Sequence, residues 1–153
     1  MKYLKRFNES DMMWQIWNQF MDSIKDAFQE FEDDDWYWST GSQHPNAAKR
    51  FSLDWPPNFN CIMLKKEDDY IPSEIREKID CTGKITSDGE IIWDTKTLIF
   101  TDETLEKEKE RIREELDNFV SAISRIHSEN GNDFRFSYNN KGGDWKIIIQ
   151  GRV

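Results

Sequence analysis

The fold is decided by residues 83–100, GKITSDGEIIWDTKTLIF. Asp88-Gly89 is a two-residue hairpin signal, because glycine readily adopts the positive φ that tight hairpin turns need. Ile85 before it, and Ile91 to Trp93 after it, supply the apolar residues of two paired strands. The letters DTK that follow read as a second turn, which leads into a third strand, TLIF. The segment therefore predicts a three-stranded antiparallel meander.

A helix is predicted on the N-terminal side of this meander. Apolar residues recur there at three- and four-residue steps, which is the spacing of an amphipathic helix. We place this helix at residues 11–31, with Asn8 or Ser10 as its N-cap. Its apolar residues are Met13, Ile16, Trp17, Phe20, Ile24, Phe28 and Phe31.

A longer helix is predicted after the meander, from Thr101 or Asp102 to about Glu129. Its apolar residues alternate by four and three, so they form one narrow seam that would lie across a sheet. The seam consists of Ile112, Leu116, Phe119, Ile123 and Ile126, with Leu105 and Val120 adding to the same face.

Shorter segments complete the pattern. Residues 36–40 and 59–66 are predicted to be strands, and residues 73–79 a short helix. Residues 41–58 contain three prolines, which favour a loop over any long regular element. The chain closes with a predicted hairpin over residues 134–153, in which apolar residues alternate along both arms.

This order of elements predicts an α+β fold. Its sheet would be mainly antiparallel, packed by the N-terminal helix and by the long helix of the C-terminal half, and it would end in the closing hairpin. A chain of 153 residues has the usual size of one domain. We therefore expect residues 11–153 to form a single domain, with residues 1–10 as a leader or an N-terminal arm.

The net charge of −9 disfavours two classes of partner. An acidic surface repels phosphates and anionic lipids, so we expect no nucleic-acid partner and no membrane partner. The charge suits a protein partner that is basic, or it only keeps the protein soluble. A local exception is the last hairpin, where Arg135, Lys146 and Arg152 can share one face of the sheet. Neither a run of about 18 apolar residues nor a secretory signal is recognised, so we expect a cytoplasmic location.

The sequence contains no recognised catalytic motif, so we expect neither an enzyme nor a bound cofactor. Cys61 lies in an apolar strand, whereas Cys81 lies in a predicted turn and would be the more exposed thiol. Two reduced thiols are favoured over a disulfide. His44 and His127 do not stand at zinc-site spacing from either cysteine.

Two runs of acids could hold a divalent metal ion, since Mg²⁺ and Ca²⁺ prefer several oxygen ligands. They are Asp33–Asp35 and Asp68–Asp69. Consecutive side chains point in different directions, however, so a solvated acidic turn is the simpler interpretation. A metal-dependent hydrolase built on either run is the third functional hypothesis.

The richest candidate for a partner-binding site is the segment in which acids and aromatic residues adjoin. Trp and Tyr are preferred anchors of protein interfaces, and an acidic rim steers basic partners. The alternative is that these rings plug the ends of the sheet. The candidate residues are Asp33, Asp34, Asp35, Trp36, Tyr37, Trp38 and Trp55.

The first ten residues, MKYLKRFNES, resemble the short leaders of small proteins of large tailed phages. The matching residues are Met1, Lys2, Phe7 and Glu9, although Phe7 stands where Ile or Leu is usual. The resemblance implies a leader that directs internal proteins into the prohead, and a protease cut after Glu9. The alternative is an N-terminal arm whose apolar residues pack onto the first helix. The rest of the chain resembles no family.

Together these features predict a phage-type accessory protein that acts by protein–protein binding, as an inhibitor or an immunity-like protein. Such a protein would act in the host cytoplasm. The alternative is an internal or capsid-associated virion protein that carries a packaging leader.

Overall fold

Six strands form one sheet in which all described pairs of neighbours are antiparallel. In chain order they are β1 (Tyr37–Trp38), β2 (Asn58–Lys65), β3 (Lys78–Ile85), β4 (Ile91–Ile99), β5 (Phe134–Asn139) and β6 (Trp145–Arg152). Their order across the sheet is β1-β2-β6-β5-β3-β4. The helices are α1 (Lys2–Ala27), α2 (Gln29–Asp33) and α3 (Glu106–Asn130). The computed structural model describes residues 2–39, 58–66 and 77–152, and the side chains of residues 15–39, 59–66 and 77–151.

The predicted α+β class is confirmed. Helices α1 and α3 contact each other and cover one face of the sheet, and the core lies between them and that face. Successive side chains of a strand point to opposite faces, so alternate residues of β2, β3, β5 and β6 enter the core. On the two closing strands these are Phe134, Phe136, Tyr138, Trp145, Ile147 and Ile149, as the alternating pattern predicts.

The predicted seam of α3 is confirmed in the core, since all five of its residues are buried: Ile112, Leu116, Phe119, Ile123 and Ile126. The predicted start of this helix is wrong. Helix α3 begins at Glu106, because residues 101–104 form a turn closed by the Thr104 amide on the Thr101 carbonyl. Leu105 therefore precedes the helix and is 72% exposed rather than part of the seam. Helix α3 ends at Asn130, close to the predicted end at about Glu129, and Gly131 with φ of 74° caps it.

The N-terminal helix starts earlier than predicted. It begins at Lys2 and runs without a break to Ala27, because residues 2–27 contain neither proline nor glycine. A break at Phe28 then separates α1 from the short α2, so the predicted single helix over residues 11–31 is wrong at both ends. The predicted core residues from Trp17 onward are buried, but Ile16 is 40% exposed. The side chains of residues 1–14 lie outside the described part.

The predicted three-stranded meander is wrong, because β4 is one continuous strand. The turn that closes β3 onto β4 spans Thr86 to Glu90 around Gly89, which has φ of 84°. The letters DTK do not turn the chain. Instead, the register shifts between Thr82 and Gly83, so that β4 carries one extra residue as a β-bulge.

The predicted helix over residues 73–79 is also wrong at its end, because Lys78 and Ile79 already belong to β3. Ile79, Cys81 and Ile85 alternate along this strand and are all buried. The period of two continues through the residues that were predicted to form a turn. Residues 67–76 lie outside the described part of the chain. No helix among the described residues is long and apolar enough to cross a membrane.

Candidate functional site

The three consecutive acids of the candidate site lie at the end of α2 and in the turn after it. Asp33, Asp34 and Asp35 are all exposed. Asp35 has φ of 68°, a left-handed conformation that Asp tolerates better than most residues, and it directs the chain from α2 into β1. Tyr37 follows on the sheet edge and is 42% exposed. This corner of the chain therefore exposes three consecutive carboxylates and, two residues after the last of them, an aromatic ring.

The two tryptophans beside Tyr37 have a different role from the one predicted. Trp36 is 2% exposed and belongs to the core, so it cannot anchor a partner in this conformation. Trp38 is half-buried, packs edge-on against Phe28 and donates a hydrogen bond from its indole to Glu32. Both rings plug the end of the sheet, which was the alternative interpretation of this segment. Trp55 lies outside the described residues.

A buried carboxylate stands directly behind this corner. Glu115 of α3 is 6% exposed and lies among the seam residues of the helix. The Tyr138 hydroxyl donates to its Oε1 at 2.7 Å, and the Trp36 indole donates to its Oε2 at 3.2 Å. Burial, followed by the charge of Glu115, raises the pKa of Tyr138 well above its usual range, so the hydroxyl stays protonated and able to donate.

Two cations flank the same carboxylate. Lys65 Nζ of β2 lies 3.7 Å from Glu115 Oε2, and Arg111 lies 3.6 Å from that oxygen. Lys65 also reaches Asp34 at 3.4 Å, which ties the exposed acidic corner to the buried network. The Arg111 guanidinium lies 5.6 Å from the centre of the Trp145 ring, within range of a cation–π interaction. A buried charge is costly unless it is paired and hydrogen-bonded, and Glu115 is both.

A cleft of about 200 Å³ opens beside this network, between α2 and α3. Its wall is mostly acidic, with Arg111 as the one base and Phe31 as the one apolar side chain among the lining residues. We call the exposed acids at this end of the molecule the acidic surface. It comprises Glu30, Asp33, Asp34, Asp35 and Glu114, of which Glu30, Asp34 and Glu114 line the cleft.

The sheet face opposite the helices forms a second accessible surface, which we call the outer face. On strands β2, β3, β4, β5 and β6, none of the described side chains that point toward this face is buried. The strand register places Tyr37 opposite Leu64, Leu64 opposite Lys146, and Arg135 opposite Gln150. The register places Arg135 and Lys146 on one face, as predicted, whereas the side chain of Arg152 lies outside the described part.

Neither cysteine forms a disulfide and both are buried, so neither is a candidate nucleophile. Cys61 is in the core as predicted, and burial raises its pKa to about 12. The expectation that Cys81 is exposed in a turn is wrong, because it faces the core from β3. Burial, as the largest cause, raises the pKa of Cys81 to about 11. The described residues include no group of three or more His, Cys, Asp or Glu placed to hold a metal ion, and Asp68–Asp69 lie outside them.

Sequence reasoning missed Glu115, although its position carried a signal. It stands three residues after Ile112 and four before Phe119, so it faces the sheet within an otherwise apolar seam. A charged residue on that face predicts a buried hydrogen-bond or ion-pair partner. The identity of the partner could not be predicted from the sequence, because Trp36 is 79 residues away along the chain.

Known proteins give no further guide to the function. The chain matches no protein-family model, no curated protein and no solved structure.

Proposed function

We propose that this protein acts by protein–protein binding, and that the acidic surface with the adjacent Tyr37 ring contacts a basic region of its partner. The observation that carries the proposal is the gathering of acids from α2, the turn after it and α3 around one cleft, with the exposed Tyr37 two residues after Asp35 along the chain. Carboxylates arranged in this way steer a cationic partner, and a half-exposed tyrosine supplies apolar contact.

The support from the site is that the acidic surface is not neutralised by neighbouring bases. Among the described residues, Asp34 is the one member with an ion pair, to Lys65. Lys65 Nζ lies 3.4 Å from Asp34 Oδ2, and the Asp34 carboxylate is exposed, so this ion pair is weak. The electrostatic potential of the acidic surface therefore stays negative. The Glu115 network also restrains the backbone of this segment, because Glu115 accepts a hydrogen bond from Trp36, which directly precedes Tyr37 in the chain. A fixed surface loses less conformational entropy on binding.

The leader-like start favours a large tailed phage as the source of the protein and a host protein as the partner. An inhibitor of a host system and an immunity-like protein both fit this mode of action. The partner's surface would carry lysine and arginine side chains, of which one can enter the cleft beside Glu30 and Glu114.

The test is affinity capture from a host lysate, quantified by mass spectrometry. The variant neutralises the acids and removes the ring: D33N/D34N/D35N with Y37A. Asparagine keeps the shape of aspartate and tolerates the left-handed backbone at position 35. We expect proteins captured by the native chain to fall about tenfold with the variant, since rim charges and an aromatic anchor are lost together.

A matched control separates this effect from a change in total charge. The variant D102N/E103Q/D133N removes three exposed acids that lie outside the acidic surface. Capture by this control should equal capture by the native chain. Equal loss in both variants, or no specific capture by the native chain, would contradict the proposed function.

A further inference from the structure

We infer that the outer face of the sheet is a second docking surface, and that it receives an acidic protein segment. The charge of this face is opposite to that of the acidic surface, and Tyr37 is the one described residue that both proposed contact regions use. Three observations carry the inference: the accessibility of the face, its sign of charge, and the position of its apolar side chains.

The accessibility follows from the two-layer architecture. Helices cover one face of the sheet, whereas every described side chain on the other face is exposed or half-exposed. The face spans all six strands. Broad surfaces of this kind, which here no described helix or strand covers, are common sites of interaction.

The sign of charge on the outer face is opposite to that of the whole protein. Its described side chains include four bases, Lys78, Lys84, Arg135 and Lys146, but two acids, Asp80 and Asp94. Both acids are already paired.

Asp94 accepts from Arg135, and Asp80 lies 2.9 Å from Lys141. No ion pair is found for the three remaining lysines within the described ranges. A protein with a net charge of −9 therefore presents a local cationic face.

A contiguous apolar group lies at one end of this face, and two further exposed apolar side chains, Ile92 and Ile99, lie on β4 at the other end. Tyr37 pairs with Leu64 across β1 and β2, and Ile62 pairs with Ile148 across β2 and β6. Lys146 lies directly opposite Leu64, so a base adjoins the apolar group. An apolar centre with a charged rim is the usual anatomy of a protein interface.

The same composition argues against single-stranded nucleic acid as the occupant. Stacking platforms place several aromatic rings on the open face of a sheet. Among the described outward side chains Tyr37 is the one aromatic residue, and the central strands carry Ser137 and Thr82 there instead. An acidic protein segment with interspersed apolar residues fits both the lysines and the aliphatic group.

The experiment titrates the full-length ¹⁵N-labelled protein with three probes and follows its amide resonances. The probes are poly-glutamate, a peptide that alternates Glu and Leu, and an oligo-thymidine of similar charge. We expect the alternating peptide to bind at least about tenfold more tightly than either of the others, because it alone matches both charges and apolar groups. The perturbed amides should lie on β2, β5 and β6.

Charge reversal on the outer face provides the variant. K84E/K146E should weaken the alternating peptide at least about tenfold, whereas K107E/R125E on helix α3 should leave its affinity within about twofold. All four side chains are exposed, so the fold should survive, as far-ultraviolet circular dichroism will verify.

Three results would overturn the inference. They are an oligo-thymidine that binds as tightly as the peptide, perturbations that map to the helices, and an alternating peptide that binds no better than poly-glutamate. Because K84E/K146E alters neither Asp33–Asp35 nor Tyr37, its outcome can be separated from the test of the acidic surface.

Discussion

Glu115 accepts one hydrogen bond on each carboxylate oxygen, from the Tyr138 hydroxyl at 2.7 Å and from the Trp36 indole at 3.2 Å. These contacts join helix α3, strand β5 and the segment between α2 and β1, which are distant in sequence. The carboxylate therefore fixes the end of the sheet where the acidic surface lies. All three side chains are buried, so water cannot replace a lost partner.

Replacing Glu115 should destabilise the protein strongly. We expect Glu115→Ala to lower the free energy of unfolding by about 3 kcal/mol, since it leaves two buried donors and two nearby cations without their acceptor. Glu115→Gln keeps one acceptor oxygen and should cost less, about 1–2 kcal/mol. Urea unfolding followed by tryptophan fluorescence measures both values.

The neighbouring Glu114 provides the matched control. It is exposed on the cleft rim, and Glu114→Ala should change stability by less than about 0.5 kcal/mol. If Glu114→Ala and Glu115→Ala cost the same, the hydrogen bonds of Glu115 contribute nothing specific.

The sequence predicted those parts of the fold in which the hydrophobic period is long and uninterrupted. The seam of α3 and the alternation of β5 and β6 are of this kind. Where a period is broken, local signals misled. The letters DTK look like a turn, but pairing with β3 along its whole length extends β4 through them, and one bulge absorbs the mismatch.

The candidate site was predicted in part. Exposure of the acids at Asp33–Asp35 follows from their charge, because isolated carboxylates are costly to bury. Which of the aromatic residues are buried and which are exposed could not be predicted. Tyr37 and Trp36 are neighbours in the chain and point in opposite directions, so one ring is exposed and the other is buried. Which of the two is exposed depends on the strand register, and that register is set by the pairing of Tyr37 with Leu64. The outer face likewise required the register of all six strands.

The stability of the protein should fall at alkaline pH because of its buried thiols. Burial raises the pKa of Cys81 to about 11 and that of Cys61 to about 12, from an ordinary value of 9.0. Above pH 9 the folded state therefore holds protons that the unfolded state releases, so the free energy of unfolding decreases as pH rises. We expect about 1 kcal/mol of loss for each thiol between pH 9 and pH 10.

Urea unfolding at pH 8, 9 and 10 measures this slope, with C61A/C81A as the comparison because other groups titrate in the same range. The double variant should show a shallower decline. Parallel declines would contradict the assignment. Neither native thiol should react with a thiol reagent at pH 8 until urea unfolds the protein.

His127 should hold the β3–β4 turn against the end of α3. Its Nε2 lies 2.9 Å from the Ser87 carbonyl oxygen, and a Cβ at Gly89 would lie 3.2 Å from the His127 ring. We expect His127→Ala to accelerate hydrogen exchange at the Gly89 amide, which donates to the Thr86 carbonyl, by about fivefold, equivalent to about 1 kcal/mol. Ser128→Ala, at the next and exposed position, should leave this rate unchanged. Equal rates in the two variants would show that the contact does not restrain the turn.

Gly83 is required by the close approach of β4 at the bulge. A Cβ at this position would lie 2.5 Å from the carbonyl oxygen of Ile92, and that atom is backbone, so it cannot rotate away. Gly83→Ala must therefore displace β4 from β3, and we expect the free energy of unfolding to fall by about 2–3 kcal/mol. Gly142→Ala is the control, because a Cβ at Gly142 meets nothing within 4 Å. That substitution should be neutral or slightly stabilising, since alanine restricts the unfolded chain more than glycine. If both substitutions leave the unfolding midpoint in urea unchanged, β4 does not approach β3 as closely as the bulge requires.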